Sequence, residues 1–102
     1  ILGPSGQNIY PEEIEDRLNA LPYVSESLVI EKDGKLIALV YPDYEVVKKE
    51  KISPEQLKTK MDENRKLLNH MLPMYSQVAR LKIQETEFEK TPKRSIKRYL
   101  YQ

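Results

Sequence analysis

The stretch Val24-Ser25-Glu26-Ser27-Leu28-Val29-Ile30-Glu31-Lys32-Asp33-Gly34-Lys35-Leu36-Ile37-Ala38-Leu39-Val40-Tyr41 decides the fold. Asp33-Gly34 is a two-residue turn of the type whose positive backbone angles match strand twist. It predicts a β-hairpin with strands at residues 24–31 and 35–41. Leu36 to Val40 is apolar without alternation, and a strand of that kind is covered on both faces, so it belongs in the middle of a sheet. Pro42 closes it, because proline has no N–H to give to a ladder.

Upstream, Pro11 suits the first position of a helix over residues 11–20. Glu12 and Glu13 place negative charge in its first turn, where the helix dipole favours it. Ile14, Leu18 and Leu21 make one apolar stripe, and Leu21-Pro22 ends the helix. The two glutamates read as dipole-matching residues rather than catalytic acids. Residues 1–9 hold two glycines, Gly3 and Gly6, with Pro4 and Ser5 between apolar ends, the pattern of a hairpin-like loop.

Downstream, residues 43–52 are a polar, exposed connection with a short helical turn. Ser53-Pro54-Glu55-Gln56 is a strong helix start, with Ser53 as cap, Pro54 at the first position and Gln56 reaching back as in a capping box. Leu57, Met61 and Leu68 share a stripe with Asn64 between them, and the helix ends near Asn69, before Leu72-Pro73. His70, the only histidine, has no cysteine, histidine or serine pattern around it and reads as a helix-end residue. Residues 78–83 alternate, with Ala79, Leu81 and Ile83 on one side and Arg80 and Lys82 on the other, as in a half-buried strand. Phe88 then drops into the core. The sum is an α+β domain: a small three-stranded sheet with a central hairpin, about three helices packed on it, and the N-terminal loop.

At 102 residues there is one domain, too small for a deep enzyme pocket of its own. A formal net charge of +1 gives no global pull toward nucleic acid, so any electrostatic function is local. The absence of cysteine excludes disulfides, a thiol nucleophile and a zinc–thiolate centre. No apolar run is long enough to span a membrane and no signal peptide is visible, which makes the cytoplasm the default location. The chain opens on Ile1-Leu2-Gly3 in mid-pattern and reads as a piece of a longer protein. Positive charge concentrates at the end, where Lys90, Lys93, Arg94, Lys97 and Arg98 meet no acid. Thr91 as a cap, Pro92 at a first helical position, and Ile96 and Leu100 four residues apart predict a cationic loop entering a short helix. Such a junction suits an anion such as a phosphate; the plainer reading is a solvated basic helix.

Two separated stretches resemble one family. Ser5-Gly6-Gln7-Asn8-Ile9-Tyr10-Pro11-Glu12-Glu13-Ile14-Glu15 is similar to the segment just after the interdomain hinge of the AMP-forming adenylating enzymes: the acyl-CoA synthetases, the luciferases and the peptide-synthetase adenylation domains. Phe88-Glu89-Lys90-Thr91-Pro92 through Arg98 resembles their C-terminal motif. Pro22-Tyr23-Val24, the Asp33-Gly34 hairpin and Leu72-Pro73-Met74-Tyr75 fall in the family's order between them.

The resemblance implies that residues 1–102 are a mobile C-terminal lid whose partner is the N-terminal domain of the same polypeptide. That absent domain would bind ATP, the acid and Mg2+. ATP and coenzyme A would be substrates, with no cofactor or metal held by this segment alone, and neither nucleic acid nor a transmembrane segment is implied. The lid would alternate between two poses. One presents the C-terminal motif for acyl-adenylate formation. The other presents Ser5, Gly6 and Gln7 to the pantetheine arm of coenzyme A, where a glycine lets the backbone approach a narrow thiol channel.

The chain departs from the family at one point. The family pattern Thr-x-x-Gly-Lys-Ile-x-Arg places Arg94 at the glycine and Ser95 at the lysine that neutralises charge during adenylation. Long-chain fatty acyl-CoA synthetases often carry an arginine before that lysine, and Ile96-Lys97-Arg98-Tyr99-Leu100 is similar to them. A serine hydroxyl cannot supply an ammonium's charge. Lys93 reaching in, Arg94 or Lys97 substituting, or a slow adenylation step are the alternatives, with Lys93 placed first. Lys97 ranks lower because two residues along a helix turn its side chain away from that of Ser95. A carrier protein in place of coenzyme A is a further option. The reading from another class is a non-catalytic binding module using a basic C-terminal helix on nucleic acid or an acidic protein.

Overall fold

The computed structural model describes residues 6–102. The chain runs through helix α1 (Pro11–Asn19), strands β1 (Val24–Lys32) and β2 (Lys35–Pro42), helices α2 (Tyr44–Lys49) and α3 (Pro54–His70), a 3-10 turn (Met74–Ser76), strand β3 (Val78–Ile83) and a 3-10 turn (Arg98–Leu100). Asp33 and Gly34 both take positive φ, 53° and 75°, as the tight hairpin requires. β1 pairs antiparallel with β2, and β2 pairs parallel with β3, so β2 is the central strand. A parallel pair needs a crossover, and α2 with α3 supplies it.

The central strand is buried from Leu36 to Val40, and its two faces feed two separate cores. Leu36, Ala38 and Val40 join Val29 of β1, Ile14 and Leu18 of α1, Val47 of α2, and Leu57, Met61 and Leu68 of α3. All three helices therefore lie on one face. On the other, Leu28, Ile30, Ile37 and Leu39 are covered by Phe88, with Tyr41, Ile96 and Tyr101 at the margin. Period-2 alternation thus gives β1 and β2 two covered faces, while β3 keeps Arg80 and Lys82 in solvent.

The helix starts follow from local chemistry. Gln56 N–H donates to the Ser53 hydroxyl at 3.1 Å, and Ser53 N–H donates to the Gln56 side-chain carbonyl at 2.9 Å, a complete capping box. The short helical turn expected after Pro42 is α2, capped by Asp43. Asn64, the polar residue within the α3 stripe, is buried and donates to Pro22 C=O at 2.8 Å. Asn69 grips β3 from both sides, accepting from Val78 N–H at 2.8 Å and donating to Val78 C=O at 2.9 Å. His70 lies exposed in the last turn of α3.

Three expectations change. Ala79 is exposed and Val78 is buried, because the β2–β3 register shifts between Leu36 and Ile37 and leaves Ala79 out of the ladder. The C-terminal helix does not form: Lys90 pairs with Ile96 in an antiparallel bridge, and only the 3-10 turn at Arg98–Leu100 is helical. Thr91 accordingly caps no helix. Most of the hairpin-like loop over residues 1–9 lies outside the described residues.

Candidate functional site

Residues 89–97 make a small hairpin rather than a loop entering a helix. Thr91 N–H donates to Ser95 C=O at 2.8 Å, and Lys97 N–H donates to Glu89 C=O at 2.8 Å. Arg94 N–H closes the turn on Thr91 C=O at 2.8 Å, with Pro92 and Lys93 between them. Proline's fixed φ suits the first of those two positions. The chain then needs a left-handed residue to re-enter the pairing, and Arg94 fills it at φ 67°. This is the position that aligns with the family glycine, so the arginine keeps the turn while carrying its strain. The Thr91 hydroxyl accepts from Ser95 N–H at 3.2 Å and fixes the backbone at Ser95, the residue the resemblance aligns with the motif lysine.

The five cations of the segment divide by duty. Lys90 is salt-bridged to Glu26 of β1 at 2.8 Å, and that carboxylate holds its ammonium above the ordinary lysine range. Arg98 pairs with Glu15 of α1 and lies 3.8 Å from Glu12. Each leg of the hairpin is thus tied to the body by an ion pair. Lys93 and Arg94, with Ser95, are exposed at the tip, and Lys97 is half-buried beside it. Among the described residues, Lys93, Arg94 and Lys97 have no acidic partner. The hairpin is therefore a prong tied down at its base, with its outer cations in solvent.

The argument against Lys97 fails in this geometry. Lys97 sits at φ −77°, ψ 82°, with Arg98 N–H donating to Ile96 C=O, an inverse γ-turn rather than a helical residue. Ser95 and Lys97 flank Ile96, which is bridged to Lys90. The helical ground for ranking Lys97 below Lys93 is therefore absent.

The base of the prong is packed and hydrogen-bonded. Phe88 is 3% exposed in the second core, its ring edge-on to Tyr101 with centroids 5.1 Å apart, and the Tyr101 hydroxyl accepts from Glu89 N–H at 2.8 Å. Glu15 is the residue that the sequence reading passed over. Its carboxylate also accepts Val29 N–H at 2.7 Å, and burial pushes its pKa up despite Arg98 and that N–H. The signal was an acid three residues before Leu18, on the edge of the apolar stripe of α1.

At the other loop, Gly6 is exposed at φ 81°, with open space where a Cβ would stand. That backbone angle favours glycine. Gln7 follows half-buried, whereas Ser5 lies outside the described residues. Among the described residues no cluster of His, Cys, Asp or Glu is arranged to hold a metal, and no helix is long and apolar enough to cross a membrane.

The family model described as the AMP-binding enzyme C-terminal domain matches residues 1–101. Among solved structures, the adenylation domain of a carboxylate reductase from Mycobacterium chelonae superposes with a TM-score of 0.80 at 17% identity, covering 98% of this chain and 17% of that one. The Mycobacterium tuberculosis fatty acyl CoA synthetase matches at 26% identity and a TM-score of 0.61, covering 98% of this chain and 18% of that one. An acyl-CoA synthetase from Brucella canis gives 24% and 0.69, covering 98% and 18%. The chain thus spans less than a fifth of the length of these relatives. No curated protein matches it.

Proposed function

Because the chain belongs to the AMP-binding enzyme C-terminal domain family, we propose that it is the mobile lid of an ATP-dependent acyl-CoA synthetase acting on a fatty acid. The likeness to a fatty acyl CoA synthetase at 26% identity supports the acid class. A carboxylate is a poor electrophile. Its oxygen attacks the α-phosphorus of ATP, pyrophosphate leaves, and the acyl-adenylate that forms has AMP as a good leaving group. The sulfur of coenzyme A then attacks the acyl carbon and expels AMP, giving the thioester.

The observation that carries this reading is the anchored prong, with Lys93 and Arg94 exposed at its tip and Lys97 beside it. An ammonium near the carboxylate and α-phosphate lowers the cost of gathering negative charge as the phosphorus is attacked. Lys93 and Lys97 are the residues assigned to that work, with Arg94 as a further cation. The Ser95 hydroxyl can donate one hydrogen bond but adds no charge. When the lid turns, the Gly6–Gln7 loop flanks the pantetheine arm, and the open side of Gly6 leaves room for it.

The test uses the full-length enzyme, with acid-dependent pyrophosphate release and thioester formation from preformed acyl-adenylate measured separately. Lys93→Ala and Lys97→Ala are each expected to slow pyrophosphate release by about tenfold or more, in line with loss of one charge-stabilising group. Ser95→Lys is expected to speed it. Adenylation unchanged in Lys93→Ala and in Lys97→Ala would remove both from the mechanism.

A further inference from the structure

Strand β3 is an open edge of the sheet. In the order β1-β2-β3 it pairs on one side only, with β2. Gln84 N–H donates to Val40 C=O at 2.7 Å. Backbone groups alternate in direction along a strand, so those of Lys82 also turn toward β2, and those of Leu81 and Ile83 turn outward. Among the described residues, no strand takes that outer row. At Val78 the Asn69 amide takes the N–H and the C=O together, as a neighbouring strand would.

The two sides of this edge differ in chemistry. On the helix side, Leu81 and Ile83 border a groove of about 800 Å3 between β3, α2 and α3, with Val47, Leu57 and Met61 in its lining. On the other side, a groove of about 740 Å3 reaches from β3 to the hairpin end of β1 and β2, and Lys32, Lys35, Arg80 and Lys82 line it. Lys32 and Lys35 face each other across the hairpin, a like-charge pair that repels, and Arg80 and Lys82 stand beside Ile37 and Leu39. All four cations are exposed, none is ion-paired among the described residues, and Asp33 is the one acid in that lining. From Glu26, which anchors the prong, to Lys32 is about 20 Å of β1, so this cluster is separate from the prong.

We propose that β3 accepts an added strand: an extended segment of a partner protein, matching the 6 residues of β3, in which apolar and acidic residues alternate. Successive residues of such a strand point to opposite faces. One set enters the apolar groove beside Leu81 and Ile83. The other meets Arg80 and Lys82, with Lys32 and Lys35 beyond them. The outward N–H and C=O groups of Leu81 and Ile83 supply the backbone bonds. Charge chooses the occupant. A second copy pairing through its own β3 would set cations against cations, which is how basic residues on edge strands keep copies apart. The same cations draw in a strand that carries carboxylates. Neither groove holds a residue of the prong tip or of the Gly6–Gln7 loop, so the edge stands apart from the groups assigned to the two half-reactions.

The probe is a fluorescein-labelled octapeptide alternating valine and glutamate, titrated into the full-length protein and read by anisotropy. It is expected to bind saturably. Three changes are each expected to weaken it about tenfold or more: lysine in place of its glutamates, N-methylation of one of its two alternate sets of amides, and Arg80→Gln together with Lys82→Gln in the protein. The first two alter the peptide alone, so they do not depend on how a variant folds. If peptides methylated on either set bind as tightly as the parent, no backbone row is paired and the added strand is overturned. A lysine peptide that binds as tightly overturns the choice of an acidic partner. Unchanged affinity in the double variant places the strand elsewhere and overturns the assignment to β3. The proposal also fails if binding does not saturate by about 1 mM peptide, if a single-stranded oligonucleotide binds these cations and the peptide does not, or if the protein forms a dimer that shuts the peptide out.

Discussion

Arg98 and Glu15, 83 residues apart, close an ion pair that ties the two family-like stretches to each other. One carboxylate oxygen of Glu15 takes the guanidinium, and the other accepts Val29 N–H at 2.7 Å on the outermost strand. A single side chain therefore joins helix α1, strand β1 and the leg of the prong.

Removing the guanidinium leaves a largely buried carboxylate without its cation. Arg98→Ala is expected to destabilise the domain by about 1–3 kcal/mol, the cost of stranding a buried polar group. Urea unfolding of the two chains measures it. Equal midpoints at equal slope would show that the pair contributes nothing.

The same pair sets a pH dependence. Burial raises the pKa of Glu15 from its ordinary 4.5, with the hydrogen bond from Arg98 opposing it first. The folded chain therefore takes up this proton at higher pH than the unfolded chain does. The contribution of Glu15 grows as pH falls through the window just above 4.5 and declines as pH rises through it. Arg98→Ala removes a lowering influence and extends that window upward. Its deficit against wild type is expected to be full at pH 7 and to fade below about pH 4, where Glu15 is neutral in both. Unfolding free energies across pH 3–8 check this, and a deficit independent of pH would contradict it.

Arg94 separates geometry from charge at the tip. Arg94→Gly relieves a left-handed backbone but loosens the unfolded chain, so stability is expected to hold or rise by up to about 1 kcal/mol. Adenylation by the full-length enzyme is expected to fall, because a cation is lost. A clear loss of stability, read by thermal unfolding, would mean that the arginine side chain holds the turn.

The second face of the sheet hangs on one aromatic. Phe88→Ala strips the cover from Leu28, Ile30, Ile37 and Leu39 and is expected to cost about 3–5 kcal/mol. Phe88→Leu should recover most of it. A Phe88→Ala chain with wild-type stability would show that the tail is not part of the core.

What the sequence made legible was local. The Asp33-Gly34 turn, the Ser53–Gln56 capping box and the Leu57, Met61, Leu68 stripe each declare themselves within a few residues, and each stands as read. The C-terminal segment misled because Thr91-Pro92 is equally at home opening a helix or opening a turn. Pairing with Glu89–Thr91 settled the choice in favour of the turn. The shift at Ala79 and the burial of Glu15 depend on partners 43 and 83 residues distant in sequence, Leu36 and Arg98, which no local pattern announces. At the site, the cations were evident as a group. Which of them serve as struts and which face outward depended on Glu26 and Glu15, acids in quite different parts of the chain.

The covered second face of β1 and β2 has a consequence for how the tip can travel. Phe88, Ile96 and Tyr101 roof four apolar residues of the strands, so lifting the whole segment from Phe88 to Tyr101 would bare that surface to water. Detaching the tip and its flanks from the sheet is thereby made costly, and the segment that carries Lys93 is held to the body of the domain.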